Sequence, residues 1–125
     1  MRAEFTIVPD RHNNLMRVKL AGFFTQQDVA SFAHAYREGL GQLDGYGHLT
    51  LADIREMAIQ AQDIVIAFAD FMASPTTRSR KLAFICGSTL ARLQAQRLTT
   101  RADVQFFQSP IQKFLRRSNT LRFCG

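Results

Sequence analysis

A chain of 125 residues that is 46% hydrophobic and 21% charged has the balance of one globular domain, and its apolar runs stop far short of the roughly 18 residues that cross a membrane. The net charge of +6 is unevenly spread: residues 1–77 hold six cations against nine carboxylates, and residues 78–125 hold ten against one. Two cysteines make no disulfide scaffold and three scattered histidines make no zinc site, so neither a metal nor a cofactor is expected.

Glu4 to Val8 reads as a short strand, and Pro9 to Asn14 is turn chemistry. Met16, Val18 and Leu20 alternate with Arg17 and Lys19, the pattern of a half-buried strand, so the chain opens on a hairpin with one wet face. Thr25 with Asp28 three residues on is a capping-box signal. Val29, Phe32, Ala33, Tyr36 and Leu40 then share one helical stripe, with His34 and Arg37 off it. Glycines at 39, 41, 45 and 47 form the connector to a third strand, His48 to Asp53, with Ile54 to Met57 as the loop at its carboxyl end.

A second helix is predicted from about Gln60 to Ala73. Ile64, Phe68, Phe71 and Met72 are its core stripe, and Val65, Ile66 and Ala69 make its other side apolar as well. That other side reads either as a wide core face or as a surface for a partner copy, another protein or an apolar ligand. Ser74-Pro75 stops the helix. Leu82 to Cys86 is a continuous apolar run, as a strand buried on both faces requires. Gly87 breaks it, and Ser88 and Thr89 open a third helix predicted to reach Arg101. Val104 to Phe107 is a fifth strand. Ser109-Pro110 opens a last short helix with Ile111, Phe114 and Leu115 on its apolar side and Arg116 and Arg117 near its end.

The order, β-β-α-β-α-β-α-β-α, predicts one α/β domain over 1–125: a mixed, mainly parallel five-stranded sheet with about four helices. Ligands of such sheets gather beyond the carboxyl ends of the strands. A strand that passes through Gly87 into a helix presents open amides and the positive end of a dipole there. The anion-binding candidates are therefore Gly87, Ser88, Thr89 and Arg92, with Arg55 from the neighbouring strand end. A simple helix cap explains Ser88 or Thr89 equally well. Arg97 and Arg101, one turn apart, either extend a basic strip or lie over Leu93 and Leu98.

Catalytic signals are thin. His48 and Asp53 stand about 17 Å apart along one strand, too far for a dyad, and Cys86 in an apolar strand reads as inert. Nucleic-acid binding is not expected, because Phe106, Phe107, Phe114 and Phe123 read first as core. The short apolar start, MRAEFTIV, turns polar too soon for a signal peptide, so the expected compartment is the cytoplasm.

The stretches LMRVKLAGFFTQQDVASF, HLTLADIREMAIQ, KLAFICGSTLARLQ and VQFFQSP, in this order of elements, resemble a STAS-type domain. STAS names the sulfate transporters and anti-sigma-factor antagonists, and the chain is most similar to the stand-alone SpoIIAA-like branch. The resemblance implies a compact non-enzymatic module that contacts protein partners, nucleotides or lipids. In that family a regulatory Ser or Thr opens the helix after the third strand. Here no Ser or Thr lies between Leu51 and Ala73, so the phosphoswitch does not carry over.

The function expected from sequence is thus a regulatory binding module whose basic surface meets a protein partner, an anionic small molecule or a lipid headgroup. Homodimerisation is a further expectation. The alternative is a carrier of a lipid-like apolar ligand in a pocket beside the second helix.

Overall fold

A computed structural model describes residues 1–43, 47–99 and 104–107. Its elements are β1 (Glu4–Asp10), β2 (Leu15–Gly22), α1 (Gln26–Leu40), β3 (Leu49–Met57), α2 (Gln62–Ala73), β4 (Lys81–Ile85), α3 (Thr89–Arg97) and β5 (Gln105–Phe107). The predicted helix after Ser109-Pro110 lies outside the described residues, as do Cys124 and Arg101. One five-stranded sheet has the order β1-β2-β3-β4-β5, with β1 antiparallel to β2 and every later neighbour parallel. This is the mixed, mainly parallel sheet that the alternation of strand and helix calls for.

Two apolar layers explain the strand sequences. On one face, Met16, Val18, Leu20, Ala52, Ile54, Leu82, Phe84 and Cys86 meet the buried sides of α1, α2 and α3. On the other, Leu15, Leu49, Leu51, Ala83, Ile85 and Phe107 form a separate buried strip. β4 contributes to both, which is why its sequence is apolar without alternation. Above the first face, Phe32 is the hub of an aromatic cluster. It meets Phe5 and Phe71 edge-on with centroids 5.5 Å away, and Phe68 at 5.9 Å.

α1 starts where its capping box places it: Thr25 Oγ1 accepts from the Asp28 amide, and the Asp28 carboxylate accepts from the Thr25 amide. Three boundaries move from their predicted places. β1 runs on through Pro9 to Asp10, as an edge strand tolerates. α3 ends at Arg97, short of Arg101. The largest change is β3, which continues through the supposed loop to Met57. Its register against β2 steps from Lys19↔Asp53 to Ala21↔Glu56, so β3 holds one extra residue. That bulge places Arg55 and Glu56 consecutively outward while Ile54 and Met57 both reach the core.

Candidate functional site

The carboxyl ends of β2 and β3 are tied to each other and to α3 by two glutamines. Gln60 is buried just before α2. Its Oε1 accepts from the Phe24 amide at 2.8 Å, and its Nε2 donates to the carbonyls of Gly22 (2.9 Å) and Ala58 (2.6 Å). Its own amide donates to Gln94 Oε1 at 2.6 Å, and Gln94 Nε2 donates to Ala58 O at 3.2 Å. Gln94 lies on the buried side of α3 with Ala91, Ala95 and Leu98. This pair fixes where α3 stands over the strand ends.

Gly87 leaves β4 against the backbone of Arg55, where an added Cβ would sit 3.4 Å from the Arg55 carbonyl oxygen. Ser88 is the cap of α3, its Oγ accepting from the Ala91 amide at 3.1 Å and its carbonyl from the Arg92 amide. That leaves the amides of Thr89 and Leu90 without an acceptor among the described residues, and Gly87 to Leu90 are all exposed. The cap reading and the open-amide reading of Ser88 and Thr89 therefore hold together.

The arginines divide. Arg92 is exposed, with its Cζ 5.5 Å from the centre of the Phe106 ring, and its guanidinium has no hydrogen-bond acceptor among the described residues. Arg55 does not bring a free charge. Its Nε and Nη2 hold both oxygens of Asp53 at 3.0 and 2.8 Å, and its amide adds a third bond at 3.1 Å. Burial pushes the Asp53 carboxyl up, but the Arg55 bonds and charge outweigh it and hold the group below the usual carboxylate value. Burial raises the Cys86 thiol, which the charge of Arg92 offsets only in part, so the thiolate is disfavoured. Arg97 reaches across to Gln62 Oε1 at the start of α2.

Around these groups stand exposed apolar side chains. Leu90 is 60% exposed and Leu93 53%, both on the outer side of α3, and Ile59 before α2 is 44% exposed. Sequence periodicity did not single them out. Phe23, at the end of β2, is also exposed.

The predicted apolar surface on α2 needs correction. Val65 is 3% exposed and belongs to the core, because α2 buries a wider arc than its first stripe. Ile66 remains 50% exposed and Ala69 half-buried, so those two residues alone keep the surface that was expected of three.

His48 is a buried structural residue. The Tyr36 hydroxyl meets His48 Nε2 at 3.0 Å and Thr50 Oγ1 at 2.6 Å. Burial pushes the Tyr36 hydroxyl up to about 12 and pushes His48 below its ordinary 6.5. As pH falls, the unfolded chain therefore takes up the His48 proton before the folded one. This contribution to stability is whole above about pH 6.5 and is lost as pH drops through that value toward the folded pKa. The urea midpoint should fall between about pH 7.5 and 5.5, and His48→Gln should flatten the fall. Equal slopes in the two proteins would remove His48 as its cause.

Among the described residues, no group of three or more His, Cys, Asp or Glu could hold a metal ion, and no helix is long and apolar enough to cross a membrane.

No family model matches the chain, and no curated protein matches it in sequence. A search of solved structures finds similarity to the crystal structure of an uncharacterised protein of the DUF3478 family with a SpoIIAA-like fold, from Shewanella loihica. The TM-score is 0.68 at 16% identity, over 91% of this chain and 94% of that one. The chain has a SpoIIAA-like fold.

Proposed function

We propose that this domain is a non-catalytic binding module whose contact surface is the carboxyl edge of the sheet around the start of α3. The observation that supports it is the company kept by the open amides of Thr89 and Leu90: exposed Leu90, Leu93 and Ile59 beside an Arg92 whose donors are free to reach a ligand. A solvated helix face needs no such leucines, whereas a partner surface combines an apolar patch with a few placed donors. Ser88 and the Gln60–Gln94 pair hold this edge in place before any ligand arrives, which lowers the cost of binding. The partner is anionic in part. It is a protein with an acidic group, an anionic small molecule or a lipid headgroup, and Gly87, Ser88, Thr89 and Arg92 supply the contacts. Arg55 acts here through its backbone against Gly87, its guanidinium being held by Asp53.

Amide chemical shifts followed during titration with phosphate, nucleotides and anionic vesicles test the reading. At least one probe should saturate, shift Thr89 and Leu90 first, and lose about tenfold in affinity on Arg92→Glu, the size of one charge-assisted hydrogen bond. No saturable probe, or an affinity indifferent to Arg92→Glu, would overturn it.

A further inference from the structure

The sheet has a second face that the carboxyl edge does not use. Because β2 to β5 are parallel and in sequential order, right-handed crossovers place α1, α2 and α3 on one and the same side of it. The other side receives no crossover helix. It is open at β1, where Val8, opposite Arg17, is 53% exposed. It is closed at β3 and β4, where Leu49, Leu51, Ala83 and Ile85 are at most 3% exposed, as is Leu15 at the start of β2. These residues and Phe107 form the second apolar strip, to which no residue of the described helices belongs. A parallel sheet needs a cover on both faces.

Three features identify the cover. First, the strip is buried with a single chain present, so the cover belongs to this chain. Outside the described residues, 44–46 and 100–103 are short links within crossovers that run on the opposite side. Residues 108–125 directly follow β5, whose end, Phe107, is itself part of the strip, so tethering keeps the segment at high effective concentration there. Second, the segment fits. Ile111, Phe114 and Leu115 fall on one helical side, with Lys113, Arg116 and Arg117 opposite. A helix from Pro110 to Arg117 would be about 12 Å long, and β2 to β5 span about 14 Å. Third, Gln105, level with Ala83 at the margin of the strip, has its Oε1 buried with no hydrogen-bond partner among the described residues. The cover must therefore bring a donor as well as apolar side chains.

We infer that residues 108–125 dock on this strip as an amphipathic cover, with Ile111, Phe114 and Leu115 seated on Leu51, Ile85 and Phe107 and with Lys113, Arg116 and Arg117 turned to water. The basic charge of the C-terminal half is then divided. Arg92 serves the carboxyl edge, while the segment, with four cations and no carboxylate, lays a cationic surface over the far side of the sheet. The cover shares no residue with the binding edge, so either reading stands if the other fails.

Methyl NOEs on the intact chain test it. Ile111 and Leu115 should give cross-peaks to Leu49, Leu51 or Ile85. Phe114→Ser should raise the fluorescence of a hydrophobic dye several-fold and speed amide exchange in β4. Arg116→Ser, on the outer side, should change neither. If Phe114→Ser does not fold, the NOEs in the unaltered protein decide. The inference is overturned if those cross-peaks are missing, or if Phe114→Ser behaves like Arg116→Ser. It is also overturned if the cross-peaks arise only between differently labelled copies in a mixed sample, which would make the occupant a second molecule of this chain.

Discussion

Gln60→Ala is expected to be the most costly single change of a polar side chain in this protein, at about 2–4 kcal/mol. Gln60 uses three of its four side-chain hydrogen-bonding positions, both donors and one lone pair. Two of the groups it serves have other donors: the Gly22 carbonyl also receives the Ala58 amide at 3.1 Å, and the Ala58 carbonyl receives Gln94. The third, the Phe24 amide, has only Gln60 among the described residues. Truncation strands that buried donor, at about 1–3 kcal/mol, and adds a cavity where the side chain was. The lost bonds also free the segment that positions α3, so the effect reaches the proposed binding edge. Urea unfolding should show a lower midpoint with an unchanged slope. The neighbouring exposed residue is the control, since Gln62→Ala should change stability by less than about 0.5 kcal/mol. A Gln60→Ala midpoint no lower than that of the control would mean that the clamp does not hold the strand ends.

The clamp also marks the limit of what the residues alone disclosed. Elements with a regular period were legible: the Thr25 capping box, the α1 stripe and the unbroken apolar run of β4 all lie where the pattern puts them. β3 reads short in the sequence because its period breaks. Arg55 and Glu56 both point outward at the bulge, and two adjacent charges read as a loop unless an extra residue is allowed for. By residue type Gln60 and Gln94 read as exposed, because glutamine usually is. For Gln94 a signal existed. Ala91, Gln94, Ala95 and Leu98 fall at i, i+3, i+4 and i+7, so a polar residue stood on the buried stripe. Nothing comparable identified Gln60, whose role depends on a carbonyl and an amide from residues 36 to 38 positions earlier.

The site was legible in part. Strand-Gly-hydroxyl-helix gave the open amides and the Ser88 cap, since both follow from local backbone chemistry. Whether Arg55 is a free cation depends on Asp53, two residues earlier on the same strand face. The loop reading of 54–57 hid that the two side chains share a side. Val65 failed for a related reason. α2 buries Ile64, Val65 and Phe68 together in the core, an arc wider than one stripe, and periodicity alone does not give that width.

Gly22→Ala should cost about 2–4 kcal/mol, although it adds one methyl group. Gly22 ends β2 with φ of +79°, where an L-residue pays about 1–2 kcal/mol. Space is the second obstacle. A Cβ there would stand 2.2 Å from the Arg2 carbonyl oxygen and 2.8 Å from its carbon, both backbone atoms that no rotamer change can move aside. The N-terminal residues would have to shift, giving up the Arg2↔Phe23 bridge and the bond from the Phe23 amide to Met1 O. Gly22 O, which accepts from Ala58 and Gln60, would turn with its own peptide. A thermal or urea midpoint well below that of the unaltered chain is the expected result, with amide exchange accelerated first at Phe23 and Phe24. Ala21→Gly, one residue earlier in the same strand, separates backbone strain from a general sensitivity of the strand end. It should cost only about 0.5–1 kcal/mol, and an equal loss from the two changes would show that the left-handed backbone and the Arg2 contact are not what makes position 22 a glycine.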